Sequence, residues 1–165
     1  MSLLNCVKAG MRELGNLIKK LSQLKGLVPN KPPLLSLVEI KSASWIDDCL
    51  KDLNAVSFIV DGTYWMTDQN NFLNIVYWDW VDTREYIVDR WDCDNYALAF
   101  KSRIEQYFGL NQVGLVLDWE SRHAYNLVIF PDGIVMLFEP QQDSLFFISE
   151  RNRKFYSLNE AVVLL

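Results

Sequence analysis

The chain has 165 residues, half of them hydrophobic and 13% aromatic, enough for one domain with its own core and too apolar to remain disordered. Three cysteines and a single histidine exclude a disulfide framework and ordinary zinc-finger spacing. The net charge of −5 hides an asymmetry, with seven Lys or Arg against two acids over residues 1–41 and nine against nineteen in the remainder. Such an acidic body repels phosphate backbones and disfavours nucleic acid as a partner of the main domain.

At the start of the chain, Leu4, Val7, Met11, Leu14, Ile18 and Leu21 recur at helical spacing. They predict an amphipathic arm that docks on its own domain, self-associates, meets a partner or lies on a membrane surface. Gly26, Pro29, Pro32 and Pro33 end it, so residues 1–33 read as helical arm and Pro-rich linker and residues 34–165 as the main domain. No apolar run reaches the length of a membrane span. Met1 to Gly10 lacks the pattern of a secretory signal, and the thiol-like cysteine usage points to a reducing compartment, so the expected location is cytoplasmic.

Residues 34–41 read as a strand and 44–54 as a short helix that buries Trp45, Ile46, Cys49 and Leu53. Residues 55–60 and 64–67 flank Asp61-Gly62, a pairing that predicts a hairpin. The stretch 72–88 is dense in Trp and Tyr and reads as mixed. Residues 92–108 form the clearest helix, capped by Asp92, with Ala97, Phe100, Ile104 and Phe108 facing inward and Gly109 as its stop. Residues 113–119, 123–130, 134–139 and 145–149 follow as strands, and Ser157-Leu158-Asn159-Glu160 opens a last helix with a capping box. The order predicts an α+β domain, a central helix packed on an antiparallel sheet.

The chemistry concentrates on three residues. Cys93 opens the central helix, where unpaired N–H groups and the helix dipole favour a thiolate. Its neighbours Asp92 and Asp94 work against ionisation, which calls for a cationic partner. His123, the only histidine, begins a strand. Glu139 closes the next one, a carboxylate at the margin of an apolar run that also needs a partner.

Hairpin geometry tests whether they meet. With Pro131-Asp132-Gly133 as a three-residue loop, Phe130 pairs with Ile134 and Tyr125 with Glu139, and His123, Tyr125 and Glu139 share one face. His123 and Glu139 are then diagonal neighbours, roughly 7 to 8 Å apart at Cα. A two-residue Asp132-Gly133 turn would point Glu139 to the other face. Pro131 favours the longer loop, because its fixed φ suits the first turn position. Joined in this way, Cys93 is a nucleophile, His123 a proton carrier and Glu139 the group that fixes the imidazole. The Cys93 backbone N–H and a donor from Gln69, Tyr86 or Trp91 are candidates for an oxyanion hole. Asp92, Asp94 and Gln141 are candidates to line the cleft.

At these residues the chain resembles the papain-like and transglutaminase-like cysteine protease superfamily. Trp91-Asp92-Cys93-Asp94-Asn95-Tyr96-Ala97 is similar to the motif of bacterial transglutaminase-like cysteine proteinases. His123-Ala124-Tyr125-Asn126 with Glu139-Pro140-Gln141 looks closest to the papain-like C-terminal domain of the fungal agglutinin family. The resemblance covers residues 91–141 and implies a Cys-His-Glu peptidase acting on a peptide or protein substrate through an acyl-enzyme, with no required cofactor and with stimulation by calcium. Asp92, Asp94 and Asp118 offer hard oxygen atoms, but no loop has an EF-hand pattern and no metal is assigned. The same residues also fit acyl transfer or deamidation, or a non-enzymatic binding module with a relic site.

Overall fold

The structure is a computed structural model and describes residues 31–149, 152 and 154–165. The predicted amphipathic arm and most of its linker lie outside the described residues. Strand β1 (Glu39–Ser42) leads into helix α1 (Ala43–Leu50), and strands β2 (Ala55–Phe58) and β3 (Thr63–Met66) precede helix α2 (Gln69–Trp78). A 3-10 turn (Val81–Thr83) and an irregular segment come before helix α3 (Cys93–Phe108). Strands β4 (Val113–Asp118), β5 (His123–Ile129), β6 (Val135–Glu139), β7 (Ser144–Phe146) and β8 (Ala161–Leu164) complete the chain.

Each helix starts where a short polar side chain replaces a missing backbone partner. Ser42 Oγ accepts from Trp45 N at α1, and Asp68 Oδ1 accepts from Asn71 N at 2.8 Å at α2. At α3 the Asn95 side chain accepts from Asp92 N at 3.2 Å, closing a capping box. That helix stops at Gly109, whose φ of 64° is left-handed.

Six strands form one sheet in the order β2-β8-β4-β5-β6-β7, while β1 and β3 make a separate antiparallel pair. This corrects the expected fold class, a central helix on an antiparallel sheet. The large sheet is mixed, because β2 runs parallel to β8, a pairing between opposite ends of the described chain. The expected Asp61-Gly62 hairpin is also absent, since β2 joins the large sheet and β3 pairs with β1. The expected last helix is replaced by a turn and strand β8. Its capping serine turns instead to a buried carboxylate, Ser157 Oγ meeting Asp118 at 3.1 Å. The predicted β5–β6 loop is present: Gly133 donates to Phe130 O at 2.9 Å with φ 85°, and Ile129 pairs with Val135.

Alternate residues of β5 serve different layers, as strand geometry requires. Tyr125, Leu127 and Ile129 pack with Ile46, Tyr64 and Met66 beneath the β1–β3 pair and α1. Val128 and Phe130 pack with Phe72, Phe100 and Ile104 of α2 and α3. Coverage on both faces explains why β5 and β6 read as nearly continuous apolar runs. Buried Asn126 interrupts that run for a reason: its Nδ2 donates to Ala97 O at 3.0 Å and to Gly114 O at 3.1 Å, tying α3 to the sheet.

Candidate functional site

The tie at Asn126 fixes α3 across the sheet, so its first residue, Cys93, sits at the end of the sheet where β5 begins. His123 is the first residue of β5, and its ring meets the Cys93 thiol there. On its other side His123 Nε2 lies 2.7 Å from Glu139 Oε2. Glu139 is buried and closes β6. Asn126 pairs with Phe138, so Glu139 falls opposite Tyr125 and diagonal to His123. The structure thus brings Cys93, His123 and Glu139, from three separate elements, into one chain of contacts.

The electrostatics follow from these contacts. The hydrogen bond with His123 lowers the Cys93 pKa; burial opposes this, the Ala124 N–H and the imidazolium charge support it, and Asp92 pushes back. Burial of the His123 ring works against its charged form. Hydrogen bonds to Cys93 and Glu139, with their negative charges, outweigh it and push the pKa from 6.5 up to about 9. These contacts favour a thiolate facing an imidazolium, with a carboxylate behind the ring. Such a sulfur can attack an electrophilic carbon, and the ring can protonate what that carbon releases.

Tyr156, which the sequence does not single out, and Asp118, named there only as a hard oxygen donor, complete the surroundings. Tyr156 donates its hydroxyl to Glu139 Oε2 at 3.0 Å and sets its ring edge-on to His123, with centroids 5.5 Å apart. Asp118 faces His123 across the β4–β5 pair. Its buried carboxylate accepts from Ser121 N, Ser121 Oγ, Tyr125 Oη, Ser157 N and Oγ and Leu158 N. Burial disfavours its charge, but those donors hold its pKa below the usual range.

The remaining candidates spread around this centre. Tyr86 feels the charges of Cys93, Asp92, Asp89 and Asp94 and stacks on Tyr96 at 6.5 Å, which puts it near the Cys93 end of α3. Trp91 is covered by the Arg84 guanidinium, 4.2 Å from its ring, and Arg84 also lies over Trp80. Gln69 is elsewhere, at the start of α2, with its amide 3.8 Å from the Met136 sulfur. Gln141 donates its backbone N–H to Glu139 Oε1 at 3.2 Å. Asp92 and Asp94 hydrogen-bond each other, which lowers the pKa of the first and raises that of the second. The calcium implied by the resemblance does not fit these residues. Asp118 is saturated by protein donors, and among the described residues no group of His, Cys, Asp and Glu is arranged to hold a metal ion.

Residues 36–157 match the family model described as the ricin-type beta-trefoil lectin C-terminal domain. No curated protein matches the chain in sequence. Among solved structures, a lectin of Polyporus squamosus bound to the human-type influenza-binding epitope Neu5Acα2-6Galβ1-4GlcNAc is 17% identical, with a TM-score of 0.61. The match covers 76% of this chain and 49% of that one. A second solved structure, the PSL1a-E64 complex, is 19% identical with a TM-score of 0.62, covering 76% of this chain and 51% of that one. The chain therefore spans about half the length of these neighbours, and the likeness is one of fold.

These matches correct the expected identity. A lectin family replaces the papain-like and transglutaminase-like cysteine protease superfamily, and a lectin fold, mostly sheet with a few helices, replaces the papain-like one. The expected peptidase activity and the expected peptide or protein substrate are set aside with it, and the alternative of a binding module is favoured. The physical reason is that the resemblance to the proteases rests on a helix start and a hairpin register. Those are local devices that recur on many folds, whereas strand order across residues 36–157 is a property of the whole domain. Among the described residues no helix is long and apolar enough to cross a membrane.

Proposed function

Because the chain belongs to the ricin-type beta-trefoil lectin C-terminal domain family, we propose that it is a binding module of a lectin-type protein and that Cys93, His123 and Glu139 form its ligand site. The observation that carries the site is the 2.7 Å contact of Glu139 with His123, whose ring also bonds the Cys93 thiol. An ionised sulfur in this position binds a ligand through its electrophilic carbon. With an epoxide, the sulfur lone pair forms the S–C bond, the C–O bond breaks, and the imidazolium gives its proton to the released oxygen. Glu139 holds the ring in the orientation that serves both partners. The second neighbour, a complex with E64, supports a small-ligand site in a protein of this fold.

Intact-mass measurement after incubation with E64 tests the site. One adduct per chain is expected, on Cys93, absent in Cys93→Ala and slowed in His123→Asn. A folded chain that stays unmodified overturns the reading.

A second reading, glycan binding by this chain, is favoured by the sialylated trisaccharide bound to the first neighbour. The exposed rings of Trp119 and Tyr86 offer apolar surface for it. Titration calorimetry with Neu5Acα2-6Galβ1-4GlcNAc is expected to give saturable heat that Trp119→Ala weakens. The absence of heat at millimolar glycan refutes this second reading and leaves the first standing.

A further inference from the structure

We propose that Tyr156 is a positioning residue of this site, setting both the direction and the proton affinity of His123 through the carboxylate oxygen that the two side chains share. The inference rests on the reading of Cys93, His123 and Glu139 as the ligand site. Glu139 Oε2 accepts from His123 Nε2 at 2.7 Å and from Tyr156 Oη at 3.0 Å, and Oε1 accepts from Gln141 N at 3.2 Å. Three donors leave the buried carboxylate one orientation. The Tyr156 ring closes a cluster edge-on to His123, Tyr125 at 5.0 Å and Phe146 at 4.7 Å, which packs one side of the imidazole.

Tyr156 is itself held from the next two residues. Ser157 and Leu158 donate their backbone N–H groups to Asp118, the residue opposite His123 in the β4–β5 register. One buried carboxylate therefore fixes the segment that carries the phenol to the other. The groups that face His123 are Cys93 from α3, with Asp92 behind it, Glu139 from β6, Tyr125 from its own strand with Asp118 beyond, and Tyr156. Of these, Tyr156 alone places the positive end of an O–H dipole on the oxygen that the imidazolium uses. That dipole takes part of the carboxylate's charge and makes the ring a weaker base than Glu139 alone would make it.

The two parts of the side chain thus act in opposite directions, and two substitutions separate them. His123 is the only histidine, so its proton resonance titrates without ambiguity. In Tyr156→Phe the ring stays, the competing donor goes, and the His123 midpoint is expected to move to higher pH. In Tyr156→Ala the ring is freed and water enters. The midpoint is then expected to move to lower pH, and iodoacetamide labelling of Cys93 near pH 6 to fall toward that of Cys49. Midpoints unchanged in Tyr156→Phe overturn the proposal, as do equal downward shifts in both variants, which mean packing damage alone. The Phe variant carries the test if the Ala variant does not fold. If wild-type Cys93 labels no faster than Cys49 near pH 6, the ligand-site reading itself fails, a result separate from any shift of the His123 midpoint.

Discussion

Strands β5 and β6 have two unlike ends. At the end nearest their connecting loop, Ile129 and Phe130 are buried among apolar neighbours, with Phe72 edge-on to Phe130 at 5.7 Å and to Phe100 at 6.0 Å. At the other end, the buried groups are Asp118 and Glu139, next to His123. The apolar end is held by contact area, which any side chain of similar shape supplies. The polar end is held by matched donors and acceptors, each of which leaves an unpaired partner when removed. Equal losses of stability at the two ends therefore carry different consequences for the site.

Phe100→Ala probes the apolar end and is expected to cost about 3 to 5 kcal/mol in denaturant unfolding. Cys93 labelling is expected to keep its pH profile while the chain remains folded. Asp118→Ala probes the polar end. It orphans donors from Ser121, Tyr125, Ser157 and Leu158, and is expected to cost about 3 kcal/mol. This variant is also expected to shift the His123 titration, because Tyr156 loses its anchor. If Asp118→Ala leaves that titration unchanged, the two ends are alike and the contrast fails.

Glu139→Gln keeps the shape of the polar end and removes its charge. With burial then dominant, the His123 midpoint is expected to drop well below about 9, as read by proton NMR. The smallest effect is on pH and stability. The folded pKa of His123 lies above its ordinary 6.5, so its contribution is full below that value and is lost as pH rises through about 9. The folded pKa of Cys93 lies below its ordinary 9.0, so its contribution is present above that value and is lost as pH falls through the folded one. Where they overlap below pH 9 the two slopes oppose each other, and a stability curve shallower than either group alone would give is expected there. Cys93→Ala removes the cysteine slope and one of the two partners that raise the His123 pKa, and its melting temperature is expected to decline as pH rises past 6.5, over a narrower window than the wild-type histidine would give.

What is legible in the sequence is local. Gly109 and the Asp92 cap mark both ends of α3, and Pro131-Asp132-Gly133 fixes the register that puts His123 and Glu139 on one face. The meeting of Cys93 with them is readable for the same reason, since one helix start and one hairpin suffice. Long-range pairings leave no such mark. Strand β2 reads like half of a hairpin until β8 takes it as a parallel partner. Ser157 reads as a helix cap because its side chain and a following acid fit that pattern, while the acceptor it serves, Asp118, stands far back in the chain. Tyr156 gives no signal, because a lone tyrosine in a polar stretch has no periodicity. The segment before α3 owes its order to Arg84 and Arg103 laid across Trp78, Trp80 and Trp91, a stacking that composition suggests but spacing does not encode. The family emerges only from the whole span of residues 36–157.

Strand β8 lies between β2 and β4, so the penultimate place in the large sheet is filled by residues 161–164. During synthesis β2 emerges well before those four residues, which supply its ladder, and Val56 and Phe58 are exposed even in the folded domain. Assembly is thus governed by one late and distant closure, a topology expected to make folding slow and to leave an unmated edge open to other chains in the meantime.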